Sequence, residues 1–349
     1  MVKVGIVGVT GMAGSEALKI LLRHPGVELT YLGSEHGAGS EIGDLVLALK
    51  DICRIKCEKI DVKLMVKKSD VLILCKGSDF AMGVAEELLK AGKKVIDIGS
   101  DFRISDPAVF EKYYKTKHTA KGILKKAVYG LPELYRDKIE KADLVANPGC
   151  YPTAAILALA PLLKDVGSKL QNAISIVAYS GLSGSGKKYS EVTKNLFVEA
   201  YGNLRAYNVG WHRHIPEIEQ VLSEVAGSSL KVSFVPHTAP IYRGILTTAF
   251  LPDSLQKDEK LEQLITLYKK FYEGEPFIRI RGIGETVQTQ SVIHTNMCDI
   301  SIHHLKESGQ IVVVSAIDNL VKGAAGQAVQ NLNIMCGMDE TTGLYLRNI

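Results

Sequence analysis

"KVGIVGVTGMAGSEALKILL", Lys3 to Leu22, changes texture twice, and that change decides the fold. "KVGIVGV" is a short β-rich run. It breaks into glycines at 8, 11 and 14, and then into a stretch whose leucines and isoleucine recur at helical spacing. A strand that turns through glycine into a helix opens a dinucleotide-binding βαβ unit. Glycine lets backbone approach a pyrophosphate, whose charge sits on the helix N-terminus. The spacing is G-x-x-G-x-x-G rather than G-x-G-x-x-G, and the bland reading is a tight turn that holds no ligand. The strand ahead and the helix behind favour the nucleotide. The expected cofactor residues here are Gly8, Thr10, Gly11, Met12, Ala13 and Gly14.

Outward from that turn, "VELTYLGS", "DVLILCKG" and "KKVIDIGS" read as further strands, with the helix-like "DFAMGVAEELLKAG" among them. Strands that are almost continuously apolar and alternate with helices imply a buried parallel sheet. This Rossmann-type opening runs to about Leu144–Asn147. The end of the second strand should meet the adenosine ribose. Ser34 there could hold a 2′-phosphate and favour NADP. Glu35, with no arginine beside it, argues for NAD, because a carboxylate repels that phosphate.

From Leu170 the texture changes. "AISIVAYSG", "KVSFVPHTAPIYRGILTTAFLP", "PFIRIRG" and "CDISIHHLKESGQIVVVSAID" carry alternation and turn signals of antiparallel strands. The helical "SEVTKNLFVEAYGN" and "DEKLEQLITLYKKFYEG" interleave with them. The fold class is therefore α/β: a Rossmann-type NAD(P)-binding domain over residues 1–149 and an α+β catalytic and oligomerisation domain over 150–319. The last helical segment, within 320–349, is expected to return to the first domain. Internal repeats and low-complexity linkers are absent from the sequence.

Length and composition agree with a two-domain globular chain: 349 residues, with a net charge of +4. That charge is too slight, and the basic residues too scattered, for a nucleic-acid partner. Apolar runs fall short of the roughly 18 residues a membrane helix needs, and the N-terminus has no signal-peptide core. The six cysteines (53, 57, 75, 150, 298, 336) form no framework of pairs, which fits free thiols in a reducing, cytoplasmic setting.

Four motifs compete for the chemistry. "GLSGSGKK", Gly181 to Lys188, matches a P-loop until its last position, where Lys188 replaces the hydroxyl that would hold magnesium. A glycine-serine loop over a nicotinamide or an anion fits better than ATP hydrolysis. "WHRHIPEIEQ" sets His212 and His214 two residues apart, on one face if the segment is extended, with Glu217 and Glu219 close by. Without a third ligand at metal-site spacing, an acid/base histidine fits better than a metal or a structural pair. Cys53 and Cys57 in "CRIKC" lack a second pair and read as packing residues. In "NPGCYPT", Cys150 sits at the mouth of the helix "YPTAAILALAPLL", with Pro152 near its first position. The positive end of that helix would lower a thiol pKa, and a histidine from "HRH" would complete a thiolate–imidazole arrangement.

Together "GVTGMAGSE", "DIGSDFR", "VYGLPELYR", "ANPGCYPTA", "SGLSGSGKK", "HRHIPEIEQ" and "PHTAPIYRGI" resemble the N-acetyl-gamma-glutamyl-phosphate reductases, relatives of aspartate-semialdehyde dehydrogenase. The resemblance runs along nearly the whole chain. It implies NADPH-dependent reduction of an acyl phosphate to a semialdehyde, in arginine biosynthesis, by a homodimer or homotetramer. It makes Cys150 the nucleophile and His214, supported by Glu217, the acid/base residue, with His212 beside them. It assigns Arg103, Asn147, Ser180, Lys187 and Arg243 to the substrate, and Ser34, Ser183, Gly184 and Gly186 to the cofactor. The implied route is a Cys150 thioester that accepts hydride, and it requires no metal. Two positions depart from the family's habit: Glu35 stands where a basic residue is common, and Lys187 where arginine is. The nearest rival is the sister reductase that takes aminoadipyl or glutamyl phosphate on a small acidic carrier protein. A non-catalytic dinucleotide sensor is the rival from another class.

Overall fold

A computed structural model describes residues 1–166, 174–185, 201–253 and 261–344. The chain divides into two compact units: Met1–Pro148 with Ala324–Ile349, and Gly149–Gly323.

The first unit is built on six parallel strands: β1 (Val2–Val7), β2 (Val27–Gly33), β3 (Val71–Leu74), β4 (Lys94–Asp97), β5 (Val128–Tyr129) and β6 (Leu144–Ala146). Their order is β2-β1-β3-β4-β6-β5. The expected parallel sheet is present, and its residues explain it. Val4, Ile6 and Val7 in β1 and every residue of β3 are buried, because helices cover both faces. The helices α1 (Met12–Leu21), α2 (Phe80–Lys90) and α3 (Pro132–Glu140) supply part of that cover. The chain steps from β1 to β2 on one side and then to β3 on the other. The strand order thus reverses at β1, the switch point where open α/β sheets hold ligands beyond the carboxyl ends of their strands.

The C-terminal segment belongs to this same unit, starting at Ala324. Every residue of its helix, Gly326–Met335, is buried. Asn331 Nδ2 donates to Gly130 O (2.9 Å) and to Asn147 Oδ1 (3.0 Å), and Asn333 Oδ1 meets His24 Nε2 (2.9 Å). These amides use the helix to lock three loops of the sheet.

The second unit carries a seven-stranded sheet: β7 (Ile174–Ser180), β8 (Arg205–Ala206), β9 (Val232–Thr238), β10 (Ile245–Pro252), β11 (Ile278–Ile280), β12 (Cys298–Leu305) and β13 (Gln310–Ile317). The order is β11-β12-β13-β10-β7-β9-β8. Antiparallel pairing was the expectation, and it holds at β12–β13, β13–β10, β10–β7 and β8–β9. It fails at β7–β9 and β11–β12, which are parallel. The reason is connectivity: the chain returns to β9 through a crossover that includes the helix Ile215–Ala226, not through a hairpin. The helix expected over 190–203 lies almost wholly outside the described residues.

Cys150–Val166 forms a helix whose residues from Tyr151 to Leu163 are all buried. A helix that is apolar all round belongs inside a core, and this one packs on β10, β13 and the helices Ile215–Ala226 and Leu261–Phe271. Pro161 lies inside it. Proline has no N–H for the carbonyl four residues back, and Tyr272 Oη donates to that carbonyl, Leu157 O, at 2.6 Å. Tyr268 Oη serves the next, Ala158 O, at 2.7 Å. The helix starts at Cys150 itself, so Pro152 is its third residue rather than its first.

Candidate active site

In the first unit the glycine turn is shaped by close approach. Gly8 has φ +80°, and a Cβ there would stand 2.6 Å from Cys75 O. A Cβ on Gly14 would stand 2.3 Å from Gly8 O, so α1 can lie against β1 only without a side chain at that position. Gly11 caps α1 and brings no side-chain oxygen to its N-terminus. Thr10, Gly11, Met12 and Ala13 are half-buried around this cradle. The arrangement fits the pyrophosphate of a dinucleotide, which needs bare backbone and a helix N-terminus.

Ser34 is buried, and its Oγ accepts from Gly37 N at 3.1 Å. Glu35 has a cation that sequence reasoning missed: Lys76 Nζ lies 2.7 Å from its Oε1. The repulsion argued from Glu35 alone therefore loses its premise. Arg103 is buried, with Nε donating to Asn147 O (2.7 Å) and Nη2 to Ile98 O (2.8 Å). Asn147 is held in turn, donating Nδ2 to Ala324 O at 3.0 Å and its main-chain N–H to Asp97 O at 2.8 Å. Arg103 thus ties together the loops that follow β4 and β6. Beside it, burial and then the charge of Asp101 push the Asp97 carboxyl up to about 7. Asp101 caps α2 from a distance, accepting from Asp79 N (2.9 Å) and Met82 N (3.0 Å).

In the second unit the site is built around Cys150. Glu217, fully buried in the first turn of the helix Ile215–Ala226, accepts from Gly149 N at 2.8 Å through Oε1. Gly323 has no room for a Cβ, which would stand 2.8 Å from Cys150 Cβ. His214 is the cap residue of Glu217's helix, with φ −84° and ψ −10°. The "HRH" segment is a run of turns rather than an extended stretch. The two rings still meet, with centroids 4.8 Å apart. His214 N donates to His212 Nδ1 at 3.1 Å, so His212 carries its proton on Nε2. Burial, then Arg213, pushes the His212 pKa down to about 4. His212 is a neutral prop for the His214 backbone.

Tyr151 packs edge-on to His212, His214 and Phe234. Tyr207 Oη donates to Tyr151 Oη (3.1 Å), which donates to His237 O (3.1 Å). Burial pushes the Tyr151 pKa far up and that of Tyr207 up to about 12, so both phenols stay neutral.

The loop after β7 is clasped to the segment before β10. Leu182 N donates to Ile241 O (2.9 Å) and Ser183 N to Tyr242 O (3.1 Å). A Cβ on Gly181 would stand 2.7 Å from Tyr242 O, and one on Gly184 would stand 2.9 Å from Ser180 Oγ. Asn319 bridges the clasp, donating to Ser183 Oγ (2.9 Å) and accepting from Gly244 N (2.7 Å). Ser180 Oγ donates to Gly181 O at 3.1 Å. Gly186 and Lys187 lie outside the described residues. Arg243 forms a buried ion pair with Asp318 (3.0 Å) and meets His294 Nδ1 at 2.8 Å. Asp318, Asn319, Lys76 and Gly323 carried no signal in the sequence, because each matters through a partner distant in the chain; Glu217 was expected beside His214, and its bond to Gly149 N was not. Among the described residues, no group of three or more His, Cys, Asp or Glu side chains could hold a metal ion. None of the helices there is long and apolar enough to cross a membrane.

Comparison with known proteins agrees with this geometry. Residues 3–142 match the semialdehyde dehydrogenase NAD binding domain, and residues 150–319 match the semialdehyde dehydrogenase dimerisation domain. The N-acetyl-gamma-glutamyl-phosphate reductase of Desulforudis audaxviator is 47% identical over 344 residues, covering 99% of this chain and 98% of its own. That of Desulforamulus reducens is 46% identical over 349 residues, covering 100% and 99%. Aspartate semialdehyde dehydrogenase II of Vibrio cholerae, complexed with ASA, superposes with a TM-score of 0.71 at 18% identity, covering 97% of this chain and 98% of its own. The Candida albicans aspartate semialdehyde dehydrogenase with NADP gives 0.69 at 16%, covering 96% and 98%. At such identities the two structures speak for the fold. With both family domains matched and relatives near half identical along the full chain, the protein belongs to the semialdehyde dehydrogenase family, among the N-acetyl-gamma-glutamyl-phosphate reductases.

Proposed function

We propose that the chain reduces N-acetyl-gamma-glutamyl phosphate to N-acetylglutamate 5-semialdehyde and phosphate, with NADPH as reductant, in arginine biosynthesis. The observation that carries the chemistry is Cys150 as the first residue of a buried helix, with the preceding N–H bound by the Glu217 carboxylate. The choice of acyl group rests on the names of the relatives.

In this reading the glycine turn and Ser34 hold the dinucleotide, which supplies a hydride when bound. The Cys150 sulfur attacks the acyl carbon and forms a thioester as the carbon–oxygen bond to phosphate breaks. Arg103 opposes the charge of the anionic substrate and keeps the Asn147 loop in place. After reduction, His214 holds a proton at the oxygen of the tetrahedral adduct, which releases aldehyde as the thiolate re-forms. Glu217 fixes the helix start that aims the sulfur, and His212 fixes the His214 backbone. Ser180 and Arg243 shape the substrate side, and Ser183 and Gly184 the nicotinamide side. The chain works as a homo-oligomer through its second domain.

Turnover tests the reading. Purified protein should oxidise NADPH when given N-acetyl-gamma-glutamyl phosphate and yield the semialdehyde. Turnover only with carrier-bound aminoadipyl or glutamyl phosphate would transfer the assignment to the sister reductase. Nucleotide binding without turnover of either substrate would leave a sensor.

A further inference from the structure

We propose that Lys76 recognises the 2′-phosphate of the dinucleotide and that its ion pair with Glu35 lets one site read both NADPH and NADH. This rests on the dinucleotide assignment above.

The placement comes from sheet order. With β1 between β2 and β3, the strand ends at Gly8, Ser34 and Cys75 lie side by side at the switch point. Val7 is the register partner of both Gly33 and Leu74, so Glu35 and Lys76 leave the sheet on either side of the glycine turn. The lysine stem passes over that turn: a Cβ on Gly8 would stand 3.1 Å from Lys76 Cδ. Its Nζ ends 2.7 Å from Glu35 Oε1 and lies over the Phe80 ring, 5.9 Å from the centroid. Lys76 therefore spans the distance from the pyrophosphate cradle to the strand end where the ribose is read.

The exposure of the pair says what it is for. The two side chains are 22% and 52% exposed. An ion pair this open adds little to stability, so it is poised rather than structural. A carboxylate at this strand end accepts from the ribose 2′-hydroxyl of NAD. Glu35 can do that while Lys76 neutralises it. When the ribose carries a 2′-phosphate, the ammonium moves a short way from carboxylate to phosphate and trades one charge-assisted hydrogen bond for a stronger charge contact. Lysine suits this exchange, being a compact charge on a flexible stem, where arginine would be a planar fork. Glu35 without Lys76 would repel the phosphate, and Lys76 without Glu35 would hold it more tightly.

The test is direct binding of 2′,5′-ADP and 5′-AMP by titration calorimetry to wild type, Lys76→Met and Glu35→Gln, alongside the kcat/KM ratio for NADPH over NADH. Lys76→Met should weaken 2′,5′-ADP by roughly 10- to 100-fold and leave 5′-AMP within about twofold, the range of one charge-assisted contact. Glu35→Gln should tighten 2′,5′-ADP and raise the NADPH/NADH ratio. A wild type that prefers 2′,5′-ADP, with that preference intact in Lys76→Met, overturns the proposal and leaves the NADP reading standing. Equal weakening of both ligands overturns it too, as a general loss of the site. A wild type that binds 5′-AMP but not 2′,5′-ADP overturns the NADP reading along with the proposal.

Discussion

Glu217 Oε1 accepts the main-chain N–H of Gly149 at 2.8 Å, so a fully buried carboxylate holds the residue just ahead of Cys150. Sequence reasoning placed this glutamate behind His214. The structure gives it the start of the nucleophile's helix, a positioning task. Glu217→Ala should strand a buried N–H, costing about 1–3 kcal/mol, and slow both turnover and Cys150 alkylation. Glu217→Gln keeps an oxygen acceptor and should restore most of the melting temperature. Thermal melts and iodoacetamide rate constants, read together, separate this from a loss of acid/base function. An unchanged melt and unchanged alkylation in Glu217→Ala would disprove the tether.

Cys150 should be the thiol that reacts first. Cys53 and Cys298 are buried, burial pushes Cys57 up to about 11, and it also raises Cys75 and Cys336. Brief treatment with iodoacetamide should label Cys150 in step with loss of activity, and acyl-phosphate substrate should protect it. Cys150→Ala should fold normally and lose turnover by at least about 10³-fold, because the covalent route is gone. Full activity in that variant would end the thioester mechanism.

Two buried groups should tilt stability with pH in opposite directions. His212 is lowered from 6.5 to about 4. The unfolded chain therefore takes up a proton that the native state refuses as pH falls from 6.5 to 4. That contribution, about 3 kcal/mol at roughly 1.4 per pKa unit, is present above pH 6.5 and lost across the window. Asp97 is raised from 3.8 to about 7. Its native state holds the proton, so its contribution is present at low pH and lost as pH rises from 4 to 7. Melting curves at pH 5, 6.5 and 8 should show His212→Asn gaining relative to wild type at the acid end. Asp97→Asn should gain at the alkaline end. Parallel pH profiles for all three proteins would refute both assignments.

Pro161 and Tyr272 form a matched pair. The proline leaves Leu157 O without its helical donor, and Tyr272 Oη supplies one at 2.6 Å. Tyr272→Phe should cost about 1–3 kcal/mol, the penalty for a buried carbonyl left unpaired. Adding Pro161→Ala restores the N–H and should recover most of that loss, a coupling that a double-mutant cycle measures. Additive losses would show that the phenol serves packing alone.

Much of this was legible in local sequence. The glycine turn at Gly8–Gly14 follows from a strand that must give way to a helix at once. The buried parallel sheet follows from runs such as "DVLILC", whose residues are apolar on both faces. Cys150 at a helix start follows from the switch between "NPG" and an unbroken apolar stretch. Each signal lies within a few residues of its consequence, where backbone sterics and side-chain periodicity act directly.

Tertiary structure decided the partners. Lys76 meets Glu35 only because β1 is threaded between β2 and β3, and a charge pair has no periodicity to announce it. The parallel pairing of β7 with β9 depends on a crossover, and short strands look alike whichever way the neighbour runs. Glu217 reads as a first-turn acid of its own helix, yet its oxygen satisfies a donor 68 residues away. Hydrogen bonds of that kind are chosen by whichever buried donor the assembled core leaves unpaired, and that is settled only when the whole chain has packed.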